Sequence, residues 1–205
     1  MDATVTDHDR LASQRVAGVG RLAVQAHAGR TRVAQLYQEG AARLRLPRHE
    51  RPGLEAVLIN TAGGLTGGDR LDWEIAVGER ASLTVTTQAS EKVYRAAAGE
   101  ARVCARIHVG AGSRFVWLPQ ETILYERSAL SRRLDVDLGA GAGVLLAEAV
   151  VLGRKAHGET LSRAMFRERW RVSAGGRLVH ADALALGPDM AAARAGRAML
   201  DGAGA

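Results

Sequence analysis

Three carboxylates occupy positions where a carboxylate needs a reason. Asp69 closes the stretch Gly63-Gly64-Leu65-Thr66-Gly67-Gly68-Asp69-Arg70, Glu148 interrupts the apolar run Val144 to Leu152, and Glu159 ends the loop Gly153-Arg154-Lys155-Ala156-His157-Gly158-Glu159. In a tight glycine crossover Asp69 would cap loop amides through its side chain. On a loop held by a rigid scaffold it would instead be presented to a polar pocket or a partner. Glu148 cannot be left bare in an apolar strand, because an unpaired buried carboxylate costs several kcal/mol. It either pairs with an arginine such as Arg154 or lines an internal polar passage. Glu159 and His157 stand two apart, so a bent loop is needed for both to reach one cation.

Several chemistries are excluded by spacing. Gly63 and Gly68 have the separation of a phosphate-binding loop, but Asp69 and Arg70 follow where lysine and a hydroxyl residue are required. A carboxylate there repels a triphosphate, and Leu71 to Val77 alternates like a strand instead of opening a helix. The histidines at 8, 27, 49, 108, 157 and 180 form no HxH or HExxH group, so any metal contact is expected to be weak or transient. Cys104, the single cysteine, can make no intrachain disulfide, and its strand parity matches Arg102 and Arg106, which does not require it in the core. No GxSxG surrounds Ser82, Ser90 or Ser113, and no catalytic constellation is visible, so the chain reads as a non-enzyme.

Composition sets the class. Of 205 residues 47% are hydrophobic, enough for one domain with a substantial core, and no apolar run reaches the length of a membrane helix. The polar, acidic start carries no leader pattern, which places the expected location in the cytoplasm. The formal charge is +6, made by 26 Arg and two Lys spread between acids. With aromatics at 4% and no basic block, nucleic acid is not an expected partner, and a basic net charge is equally compatible with an acidic partner surface.

The elements that must hold these residues are strands. Residues 1–17 show no periodicity and read as a flexible lead-in, and 18–186 read as one β-repeat domain. From Leu71 onward, alternating runs are joined by glycine turns at Gly78, Gly110 to Gly112, Gly139 to Gly143 and Gly175-Gly176, recurring about every thirty residues. Each such hairpin-like unit is too thin to bury its own apolar face, so the units must stack as a β-solenoid or a layered sandwich. In Leu134 to Leu138 the leucines and valine face inward and the aspartates outward, whereas Val144 to Leu152 reads as a central strand apolar on both faces. Residues 187–205 hold a short helix, Met190 to Leu200, capped by Asp189, and then a tail that frays.

The motif GGLTGGD, followed by Thr86-Thr87-Gln88-Ala89-Ser90-Glu91-Lys92-Val93-Tyr94-Arg95, then by Leu118-Pro119-Gln120-Glu121-Thr122-Ile123, Glu148 and Gly153 to Glu159, resembles the UreD (UreH) family of urease accessory proteins. The resemblance runs from about Gly18 to Leu186, and several motifs in one order are far more specific than a lone glycine loop. It implies a β-helical fold, which favours an all-β solenoid with a short C-terminal helix. It implies a urease-maturation scaffold that docks on the urease structural subunits and, with an F-type accessory protein and a G-type GTPase, supports nickel delivery through an internal channel. Nickel would pass in transit, with no tightly bound cofactor. Asp69, Glu148 and Glu159 are then the passage or support carboxylates. Gly63, Gly64, Gly67, Gly68, Gln88, Lys92, Tyr94, Pro119, Gln120, Gly153, Arg154 and Gly158 take structural or docking roles. Family members normally run some tens of residues further, through the region that holds the F-type partner. The alternative is a β-repeat interaction module without a metal role.

Overall fold

A computed structural model describes residues 15–48, 50–154, 157–196 and 200. The expected lead-in lies outside these residues up to position 14, as do positions 197–199 of the expected helix and the tail 201–205. The strands are β1 (Ala17–His27), β2 (Arg30–Gly40), β3 (Ala42–Arg45), β4 (Leu54–Asn60), β5 (Arg70–Val77), β6 (Ser82–Thr87), β7 (Glu91–Val93), β8 (Ala101–Val109), β9 (Arg114–Trp117), β10 (Thr122–Leu124), β11 (Ala129–Leu138), β12 (Gly143–Leu146), β13 (Val150–Leu152), β14 (Met165–Ala174) and β15 (Arg177–Leu186). One helix, α1 (Met190–Ala195), follows, and the Asp189 carboxylate accepts from the Ala192 amide at its start.

The strands wind into a β-solenoid with three walls. A seven-stranded sheet runs β15-β14-β11-β8-β5-β1-β2, a five-stranded sheet runs β12-β9-β6-β4-β3, and a short sheet runs β13-β10-β7. Each complete coil visits the walls in turn: β5-β6-β7, then β8-β9-β10, then β11-β12-β13. Strands of successive coils pair parallel, as β5 with β8 and β8 with β11. The units are therefore arches. The turns at Gly78, Gly110 and Gly139 carry the chain from one sheet to another, and of the four glycine turns read in the sequence only Gly175-Gly176 closes a hydrogen-bonded hairpin, β14 with β15. Stacked arch turns come very close. A Cβ on Gly110 would stand 2.8 Å from the Glu79 nitrogen, and one on Gly139 would stand 2.7 Å from the Ala111 nitrogen, so only glycine fits.

The core fills the arches with inward rows. Trp73, Ala105 and Leu134 share one register row and Ile75, Ile107 and Val136 the next, all buried. Each large apolar side chain so buried contributes about 1.5–3 kcal/mol. The row below breaks the pattern, reading Leu71, Val103, Arg132 and Glu168. Strand alternation forces this, since Arg132 has the inward parity of Leu130 and Leu134. The run Val144 to Leu152 is not one central strand. It splits into β12 and β13 at Ala147-Glu148-Ala149, because the chain turns there from the five-stranded wall to the short one, and Leu145 is 56% exposed.

Candidate functional site

The short wall gathers every motif. Leu65 of the glycine loop bridges Val93 in parallel, with its amide donating to the Lys92 carbonyl at 2.8 Å. The wall thus places GGLTGGD, the Glu91-Lys92-Val93 strand, the strand after Pro119-Gln120 and the strand before Gly153 side by side, one per coil. The glycines make the contact possible. A Cβ on Gly64 would meet the Tyr94 ring at 2.3 Å, and one on Gly67 would meet the Ala98 carbonyl at 2.2 Å. Asp69, 3% exposed, accepts from the Val16 amide at 2.9 Å and from the Thr66 amide at 2.7 Å, so each oxygen holds one backbone group. It caps its own loop.

Glu159 anchors the outer end of the same wall. Arg154 donates to it from its backbone amide at 2.9 Å and from Nε at 3.0 Å, and the Glu126 amide donates at 3.3 Å. These bonds hold the carboxyl down at about 2, chiefly through the Arg154 side chain. Arg154 also lies 4.5 Å over the Tyr125 ring, which meets Tyr94 edge-on at 5.2 Å, and the Tyr94 hydroxyl donates to the Gly63 carbonyl at 3.3 Å. Glycine loop, Tyr94, Tyr125, Arg154 and Glu159 form one continuous brace across the coils. The exposed His157 side chain takes no part in it. Lys155 and Ala156 lie outside the described residues. Gly153 is buried beside this brace, its amide donating to the Leu124 carbonyl at 2.9 Å, and Gly158 turns the loop at φ +69°.

Behind the wall lies a cavity of about 490 Å³. Its lining includes Asn60, Glu91, Thr122, Arg132, Glu148 and Trp117, with Gln88, Lys92, Pro119 and Gln120 along its outer side. Glu148 keeps 4% of its side chain exposed. Trp117 Nε1 donates to Oε1 at 2.7 Å, while Oε2 faces Arg132 Nε at 3.0 Å. Arg132 directs that hydrogen at Glu168 Oε1, 2.6 Å away, and donates from a terminal nitrogen to Thr122 Oγ1 at 2.9 Å. Among the described residues Glu148 Oε2 is therefore ion-paired but receives no hydrogen bond. Burial pushes the Glu148 carboxyl up to about 7 against the pull of Arg132. Burial likewise raises Glu91 to about 7, opposed by the Asn60 amide, which donates to it at 3.1 Å. Two carboxyl groups that exchange protons near neutrality, Glu91 and Glu148, thus share the cavity lining with two cations, Lys92 and Arg132. Such oxygen donors suit loose, reversible contact with a divalent ion. Among the described residues no three His, Cys, Asp or Glu side chains converge tightly enough to hold a metal ion.

Comparison with known proteins decides the family. A model of the UreD urease accessory protein family matches residues 16–205. This chain belongs to the UreD family. It is 53% identical over 193 residues to the urease accessory protein UreD 1 of Brucella melitensis, covering 94% of this chain and 69% of that one. It is 56% identical over 189 residues to the urease accessory protein UreD of Rhizobium etli, covering 92% and 69%. The motifs that carried the resemblance are thus the residues of one wall and one cavity.

The structure brings Glu148 together with Gln88, Lys92 and Gln120, and sets Asp69 and Glu159 apart in loop-holding roles. Sequence reasoning missed Arg132, Glu168 and Glu91. Parity would have found the first two: counting back from Leu134 puts Arg132 inside, and counting on from Phe166 puts Glu168 inside. It offered an arginine such as Arg154 as one alternative for Glu148; an arginine does pair with it, but it is Arg132, sixteen residues upstream instead of six downstream, because the break after β12 turns Glu148 inward. No helix of the described residues is long and apolar enough to cross a membrane.

Proposed function

We propose that this chain is a non-enzymatic scaffold of urease maturation that admits nickel, as cargo, to the cavity behind the short wall and passes it on by proton exchange at Glu148 and Glu91. It docks on apo-urease in the cytoplasm and, with an F-type accessory protein, recruits a G-type GTPase, whose partner chemistry it does not perform. The observation that carries the reading is Glu148 Oε2, a buried carboxylate oxygen without a hydrogen bond on the cavity wall. Arg132 would act there as a stand-in cation, holding Glu148 and Glu168 in place while no metal is present. Asp69 and Glu159 support the route by fixing the loops that wall it.

A second reading has an observation of its own. Asp69 spends both oxygens on backbone amides, as a residue that only shapes a turn would, and this favours an interaction module without a metal role. One experiment separates the two: co-expression of the tagged chain with urease subunits and the F- and G-type proteins, scoring capture, nickel content and urease activity. Replacing Glu148 with Gln should leave capture intact and lower nickel content and activity together by about tenfold or more, the usual cost of perturbing a metal contact. Full activation by Glu148→Gln and Glu148→Ala alike would leave only the module. Failure of the unaltered chain to capture urease would remove the scaffold role itself.

A further inference from the structure

The outer face of the seven-stranded sheet is a lattice of charges in register. Arg21, Glu74, Arg106, Asp135 and Arg171 occupy one row and alternate in sign from strand to strand. Glu74 is gripped by Arg21 at 2.8 Å and Arg106 at 2.7 Å, and these guanidiniums depress its carboxyl. Most of the other arginines are likewise taken: Arg70 by Asp72, Arg133 by Asp135, and both Arg102 and Arg167 by Glu100. The lattice ends at β14. Arg169 and Arg171 are exposed, point outward with Arg167, and form no ion pair or hydrogen bond among the described residues. Beside them β15 offers Ala183 and Ala181 where the pattern would need carboxylates. A hollow of about 770 Å³ on this face reaches Arg171 past Glu74, Arg106 and Asp135.

We propose that the outer face of β14 and β15 is a docking surface for an acidic, extended segment of a partner protein, anchored by Arg169 and Arg171. Their spacing of two residues along a strand is about 6.6 Å, the repeat of alternate side chains in an extended segment. A guanidinium fork holds a carboxylate with two parallel bonds, so two such forks read two alternate acidic side chains. The alanines of β15 let the segment's backbone lie close. Nucleic acid fits poorly, because Glu74, Asp135 and Asp137 interrupt the positive field and neither strand sets an aromatic ring on this face for stacking. The surface is independent of the cavity, which lies on the other side of the sheet.

The test is fluorescence anisotropy of the full chain with a labelled peptide of alternating Glu and Ser. Arg169→Glu with Arg171→Glu should weaken binding about tenfold, and added salt should weaken it further. Arg32→Glu with Arg45→Glu, an equal charge change at exposed positions on β2 and β3, should cost less than about twofold. Equal losses for the two pairs would reduce the effect to net charge and overturn the proposal. So would no binding by the unaltered chain, or tighter binding of a single-stranded oligonucleotide that the Arg169 and Arg171 pair abolishes. Urease activation by the same variants, scored separately, keeps this outcome distinct from that of the nickel route.

Discussion

Glu91 keeps its proton to about pH 7 because burial disfavours the carboxylate and Asn60 offers only a neutral amide in return. Its folded value lies above the unfolded 4.5, so the folded state binds more protons between them. Stability contributed by this group is therefore complete below about 4.5 and is lost as pH rises to about 7. Glu91→Gln should remove that loss, raising the melting temperature at pH 8 by about 2–4 °C for a gain on the order of 1 kcal/mol, with no gain at pH 4. An equal gain at both pH values would mean that packing, not ionisation, was altered. Glu159 acts in the opposite sense: held at about 2, it adds stability above 4.5 that fades as pH falls toward 2. Arg132 is the other decisive residue. Arg132→Met would leave Glu148 and Glu168 buried without a counter-ion, a loss of about 3–5 kcal/mol read from the urea midpoint. Adding Glu148→Gln should recover part of it, since one of the stranded charges is then gone; a double variant no more stable than the single one would deny the coupling.

The glycine loop makes its case as an element, through neighbours that differ in kind. Gly63 sits at φ +74° with nothing within 4 Å of an added Cβ, so Gly63→Ala meets only backbone strain, about 1–2 kcal/mol. Gly64 has the Tyr94 ring at 2.3 Å and the Lys92 carbonyl at 2.8 Å from its would-be Cβ. Gly64→Ala must push the loop off β7, breaking the Leu65 bridge, and should cost several kcal/mol more than Gly63→Ala in the same urea titration. Equal costs would show that the loop is not docked on the short wall. The strands around this loop were largely legible: alternation placed β5, β6 and β9 within a residue or so of where they lie, and the thirty-residue recurrence of glycine turns announced a stack. What alternation does not encode is which strand a strand pairs with. A short glycine turn serves a hairpin and an arch equally, and only the parallel pairing between coils, set by burial of both apolar faces at once, selects the arch. For the same reason Arg132 and Glu148 could not be matched from sequence. They meet through the stacking of β9, β11 and the β12-β13 break, a relation of coils and not of spacing.

Over the whole molecule, the walls are unequal, and this sets where it opens. The seven-stranded sheet outruns the five-stranded one at β14 and β15, while β2 ends it on the other side. All of β15 but Leu186 is exposed, and all of β2 but Thr31. β5, β8 and β11 are each paired on both sides and carry the buried rows. A solenoid holds each coil only through its neighbours, so opening should start at the ends and leave the middle intact. Amide hydrogen exchange should therefore be fastest in β15 and β2 and slowest in β8, with a difference of about a thousandfold or more between them, roughly 4 kcal/mol of local opening. Uniform exchange would mark a single cooperative unit and contradict this. Of the cavity's charged groups only Arg132, on β11, sits on a strand paired on both sides; Glu91 lies on β7 and Glu148 between β12 and β13, strands at the ends of the two smaller sheets. Arg169 and Arg171, on β14, lie beside the exposed end strand β15 of the seven-stranded sheet. Partner docking at that edge should then slow exchange in β14 and β15 while leaving β8 unchanged, which the acidic peptide makes measurable in the same experiment.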